Sequence, residues 1–126
     1  MPLHPNRLRW TEKQITIHVE GKSRGTWVLK CVYAKVYGDM AVFRLDEDSH
    51  WSATAVQTGL AVCHFDQEQD AKRCTEELQH NVSKALRQTD ADKMRILFPQ
   101  RVYDWVKACY QSKSYQPLPA PGNLFA

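Results

Sequence analysis

The sequence predicts an α+β fold, an antiparallel meander of about five strands followed by three helices packed on one face. Three observations predict it. Short runs rich in β-branched and aromatic residues recur between glycine-containing turns from residue 15 to residue 65, the pattern of hairpin-connected strands. After Asp66 the apolar spacing changes from two to the three-or-four of amphipathic helices. The length, 126 residues, supplies one hydrophobic core and is too short for two.

Residues 1–14, with Pro2, Pro5 and the cluster Arg7-Leu8-Arg9-Trp10, read as an irregular arm. Ile15, Ile17 and Val19 then alternate with Thr16, His18 and Glu20, which predicts a half-buried strand. Gly21-Lys22-Ser23-Arg24-Gly25 is a turn. Residues 26–37 are dense in valine and aromatics and apolar on both faces, so they are expected to form a central strand covered on both sides. Gly38-Asp39 leads into a third strand, Met40 to Leu45, and Asp46-Glu47-Asp48-Ser49-His50 forms an acidic loop. Trp51 to Val56 and Leu60 to Phe65 make a last hairpin around Gln57-Thr58-Gly59.

Asp66 stands where a helix cap belongs, with Gln69 three residues later as in a capping box. Ala71, Cys74, Leu78, Val82 and Ala85 or Leu86 fall on one stripe of a helix expected over about 67–88. Thr89 or Asp90 caps a short helix over 91–97. Pro99 suits the first turn of a further helix that buries Val102, Trp105, Val106 and Cys109 and ends near 112. Pro117, Pro119 and Pro121 exclude a helix beyond that point. The organisation is thus an N-terminal arm (1–14), a single α+β domain (15–113) and a proline-rich, extended or disordered tail (114–126).

Thirteen aromatic residues and a net charge of +3 exclude disorder of the whole chain. No apolar run reaches the length of a membrane span or of a signal-peptide core. The expectation is a cytoplasmic protein with no membrane partner, whose Cys31, Cys63, Cys74 and Cys109 stay reduced. Charge is segregated: residues 1–38 hold seven cations and two carboxylates, residues 39–92 five and eleven, and the remainder five and one. A bulk polycation is excluded, so contact with nucleic acid needs a local patch.

Cys63, His64, Cys74 and His80 are the densest potential metal ligands. Zinc sites draw on closely spaced ligand pairs, whereas Cys63 and His64 are neighbours on a strand and point to opposite faces. They read as core thiols and a surface histidine, and no metal or other cofactor is expected. G-x-S-x-G, C-x-x-C and H-E-x-x-H are absent from the sequence. The glycines at 21 and 25 lie between two strands rather than between a strand and a helix, where a phosphate loop sits. No catalytic residue is singled out, and the chain is not read as an enzyme.

Two surfaces point to binding. Asp46, Glu47 and Asp48 in the loop, with Asp66, Glu68 and Asp70 at the start of the first helix, can imitate phosphate and engage a basic groove on a protein complex that handles nucleic acid. The alternative is a module that binds DNA or RNA directly through Arg7, Arg9, Lys22 and Arg24, with Trp10 and Trp27 for base stacking. Lys30 and Lys35, five apart on one strand, point to opposite faces, so only one joins that patch. The helix after Pro99 could present Gln100, Arg101, Lys107 and Gln111 as a helix-turn-helix reader, but layering favours a helical cover on the sheet. Leu124 and Phe125 in the tail gain from docking on this chain or a neighbour, which suggests a homodimer.

Trp51-Ser52-Ala53-Thr54, Gly59-Leu60-Ala61-Val62, Phe65 and a helix opening at Asp66 and burying Ala71 resemble the sheet-plus-helix pattern of AP2-type and integrase arm-type DNA-binding domains. The likeness covers under a quarter of the chain and implies a hairpin followed by a helix. Residues 51–65 hold no Arg or Lys, so the base-contacting cations of those strands have no counterpart. The tryptophan, Thr58-Gly59-Leu60 and the amphipathic helix are also similar to small accessory proteins of phages and plasmids, among them anti-CRISPR proteins. That resemblance implies a non-catalytic protein of a mobile element that inhibits or modulates a host complex through its surface.

Overall fold

The computed structural model describes residues 8–21 and 25–119. Five antiparallel strands lie in the order β1 (Thr11–Glu20), β2 (Trp27–Tyr37), β3 (Met40–Phe43), β4 (Trp51–Ala55), β5 (Leu60–Phe65). The helices α1 (Glu68–Leu86), α2 (Ala91–Ile96) and α3 (Gln100–Ser112) follow. This is the α+β meander that the change of apolar spacing requires.

Strand alternation divides the sheet into two faces. Met40, Val42, Ala53, Ala55, Cys63 and Phe65 face the helices, where Leu78 of α1 and Trp105 of α3 pack on them in one core. Phe65, Met40, Leu78 and Leu86 are fully buried there, each worth about 1.5–3 kcal/mol of apolar transfer. The opposite face carries a second, smaller core of Ile15, Ile17, Ala34, Val36, Ala41 and Phe43, where the length was expected to supply only one: both belong to one domain, as the two faces of a single sheet. The sheet's own curl helps to enclose it: the His18 N–H donates to the Gly59 carbonyl at 2.9 Å, so the first strand touches the turn between β4 and β5. Between β4 and β5 the register shifts, Ala53 facing Cys63 and Thr54 facing Ala61, which leaves Val62 as the extra residue of a bulge.

Four expectations need correction. The first strand starts at Thr11, inside the expected arm. Thr11 to Gln14 pair with Val36 to Tyr33, so ladder hydrogen bonding extends the strand through polar residues that show no apolar alternation. Second, β2 is covered only at its end. Ala34, Val36 and Tyr37 are buried while Trp27, Val28 and Leu29 are exposed, because β3 pairs only with Lys35 to Tyr37.

Third, Asp66 does not cap α1. Gln67 occupies the cap with no side-chain hydrogen bond, and a non-helical Val82 (φ −134°, ψ 33°) kinks the helix before it ends at Leu86. Asp90 does cap α2, its carboxylate accepting from the Asp92 and Lys93 amides. Fourth, residues 114–119 dock along the helices. The Trp105 indole donates to the Gln116 carbonyl, Arg101 donates to the Pro119 carbonyl at 2.7 Å, and Tyr115 and Leu118 pack against the core. Prolines cannot extend a helix but leave carbonyls free to accept, so the segment is extended and held. Leu124 and Phe125 lie outside the described residues.

Among the described residues no helix is long and apolar enough to cross a membrane.

Candidate functional site

The acidic surface is assembled by one contact. His50, at the end of the 46–50 loop, places Nε2 3.1 Å from Asp66 Oδ1, which joins the loop to the segment leading into α1. Asp46 works inward. Its Oδ1 accepts from the Asp48 amide and the Ser49 hydroxyl, both at 2.9 Å, and these bonds hold its carboxyl below the ordinary carboxylate range. Glu47 and Asp48 are exposed. Among the described residues, no basic side chain lies within 4.0 Å of Asp46, Glu47 or Asp48.

The other two acidic candidates contribute less to an outward field. Glu68 is held by Lys35 at 2.7 Å, and the contact raises the lysine pKa through that hydrogen bond. Asp70 is half-buried on the first turn of α1. Free anionic charge therefore concentrates on the loop and Asp66, a narrower patch than the sequence suggests.

The basic candidates are less well placed. Arg9 is exposed, and Arg7, Lys22 and Arg24 lie outside the described residues. Trp10 is not a free stacking surface: its ring lies 5.2 Å from that of Tyr37 and packs on the main core. Trp27 is 62% exposed. Lys30 and Lys35 lie on opposite faces of β2, as strand alternation requires, and Lys35 is engaged with Glu68. The three helices do not form a free reading head. Val102, Trp105 and Cys109 turn α3 into the core, and α3 covers β5.

A groove of about 520 Å³ lies where β1, β4 and β5 meet the acidic loop and the end of α3. Its walls combine apolar Ile17, Val19 and Phe43 with polar Ser52, Thr54 and His64. The bulge at Val62 puts His64 opposite Ser52 on this face, while Cys63 turns into the core. Ser52 and Thr54 are almost fully buried and share a 2.7 Å hydroxyl–hydroxyl bond. The His64 ring meets Tyr110 edge-on at 5.9 Å. Burial, and the charges of His50 and Lys113 nearby, push the His64 pKa down.

Lys113 reaches the groove from an unusual backbone. It is the non-glycine residue with positive φ (55°) among the described ones, at the left-handed C-cap of α3 where glycine is favoured. Its carbonyl accepts the Asp66 amide at 3.0 Å, and its ammonium stands 4.5 Å from the centre of the Tyr110 ring. Sequence reasoning missed this groove because its residues come from widely separated parts of the chain, and the bulge is invisible in the alternation. The available signal was Ser52 and Thr54, two hydroxyls on an otherwise apolar strand.

Cys63, Cys74 and Cys109 are free, buried thiols of the main core, and Cys31 is free and exposed on β2. The Cys63 sulfur beside it, together with burial, pushes Cys74 well up, which removes thiolate reactivity at neutral pH. Among the described residues no three His, Cys, Asp or Glu side chains come together as a metal site. The chain matches no protein family model, no curated protein and no solved structure.

Proposed function

We propose that this chain is a non-catalytic interaction protein of a mobile genetic element, which binds and inhibits or modulates a nucleic-acid-handling host complex through its acidic surface. The observation that supports this most is the His50–Asp66 contact, which gathers two acidic segments into one patch. Asp46 fixes the loop from within, so Glu47 and Asp48 are presented with little conformational freedom left to lose on binding. A patch of this sign complements a groove built to hold phosphates and accelerates encounter with it. The reading places the protein in the cytoplasm, where its four thiols stay reduced.

The test uses tagged protein as bait in nuclease-treated lysate of its host. A defined nucleic-acid-handling complex should be retained by the unmodified protein and lost from the double variant Glu47→Lys, Asp48→Lys. Equal retention by both proteins refutes the acidic surface. Retention that disappears with nuclease treatment supports the nucleic-acid module of the basic N-terminal third instead.

A further inference from the structure

We propose that the groove between β1, β4, β5 and the end of α3 binds a small organic anion, a carboxylate or phosphate monoester carried on an apolar body. The inference is independent of the acidic surface, whose loop only contributes Ser49 and His50 to the groove's edge.

Charge is the first argument. Lys113 and three histidines line the groove, and no aspartate or glutamate does, although residues 39–92 carry eleven carboxylates against five cations. Two carboxylates are tied to its rim, Asp46 to Ser49 at 2.9 Å and Asp66 to His50 at 3.1 Å, and neither is among the lining residues. A groove lined by the Lys113 ammonium and by imidazoles that can donate N–H bonds, with no carboxylate in its walls, suits an anionic guest.

Hydrogen bonding is the second. The hydroxyls of Ser52 and Thr54 bring two protons to one mutual bond, and no other bond to either is present among the described residues. One proton is therefore left to donate into the groove, from a position that is almost fully buried. Such a donor suits an acceptor-only group.

Shape and backbone complete the case. Ile17, Val19 and Phe43 offer apolar wall beside Lys113 and the imidazoles, and the volume of about 520 Å³ lies within the usual range for small-molecule sites. Lys113 holds a left-handed conformation that glycine adopts more readily, and its ammonium donates to the Tyr110 carbonyl at 3.3 Å and lies over the Tyr110 ring that His64 also meets. Strained residues of this kind concentrate at ligand-binding positions.

Calorimetry at neutral pH and low salt, together with NMR of the histidine ring signals, tests this with phenyl phosphate and phenylacetate as probes and benzyl alcohol as the uncharged control. At least one anion should saturate a single site and shift the His50 and His64 signals, with benzyl alcohol weaker by about tenfold or more. Saturation by phenyl phosphate alone assigns phosphate chemistry; saturation by phenylacetate, alone or with the phosphate, assigns carboxylate chemistry. Lys113→Gly should weaken binding about tenfold or more while the melting temperature stays level or rises, because glycine suits that φ. Thr54→Val gives a second reading through the lost donor, with a smaller fall. No saturable binding of either anion up to ~10 mM, equal binding of benzyl alcohol, or undiminished binding to Lys113→Gly overturns the proposal.

Discussion

Replacing Gly59 by alanine tests the closure that brings β1 onto the β4–β5 turn. Gly59 has a φ of +72°, and a Cβ there would stand 3.1 Å from the Thr16 carbonyl oxygen and 3.4 Å from the Ile17 Cα. Both are backbone atoms of β1 and cannot swing aside as a side chain can. The left-handed conformation costs an L-residue about 1–2 kcal/mol. Displacing β1 weakens the His18–Gly59 hydrogen bond, for about another 1 kcal/mol. The expected loss is about 2–3 kcal/mol, which for a domain of this size lowers Tm by roughly 8–12 °C. Gly25→Ala is the control: its φ is +82°, but nothing lies within 4 Å of the added Cβ, so only the conformational cost remains. Urea unfolding of both variants, with m unchanged, gives the comparison. A Gly59→Ala loss no larger than that of Gly25→Ala refutes the closed arrangement.

Leu78 is fully buried on the face of α1 that packs on the sheet, so Leu78→Ala should cost about 2–5 kcal/mol in urea unfolding, and a loss below ~1 kcal/mol would contradict the packing described. Asp90→Ala removes both cap bonds of α2 and should cost about 1 kcal/mol, with faster hydrogen exchange confined to the amides of 91–97 if the cap acts locally. The pH dependence follows from His64, whose folded pKa lies below the ordinary 6.5. As pH falls, the unfolded chain takes up this proton first, so the His64 contribution is complete above about 6.5 and is lost as pH drops toward the lowered value. Melting curves from pH 8 to 5 should therefore flatten in His64→Gln, and an identical slope in both proteins would exclude His64 as the cause.

Much of the fold was legible because its main signals are local. Ile15, Ile17, Ala71, Cys74 and Leu78 sit at the buried positions that alternation and helical spacing assign. Opposite placement of Cys63 and His64, and of Lys30 and Lys35, followed from strand geometry alone. The missed features depend on contacts between distant segments. Asp66 looks like a cap until His50, sixteen residues earlier, is found beside it. The apolar composition of β2 suggests two covered faces, but cover depends on how far β3 and the helices extend. The 114–119 segment has no periodicity, and only the Trp105 and Arg101 side chains show that it is held. The groove needs both the bulge at Val62 and the curl of the sheet, and neither leaves a mark in residue spacing.

The strand order β1-β2-β3-β4-β5 also bears on how the chain folds in time. Every strand pairs with its neighbour in sequence, so each hairpin forms with little loop-closure entropy, and the sheet does not have to wait for distant partners. The bond from His18 to Gly59 is different, since it closes a loop of about forty residues. It is a natural late event, made after the hairpins and outside the rate-limiting nucleus. Weakening it should then leave the folding rate almost unchanged and raise the unfolding rate. On this view, the closure that shapes the groove governs how long the native protein persists, while the meander governs how quickly it forms.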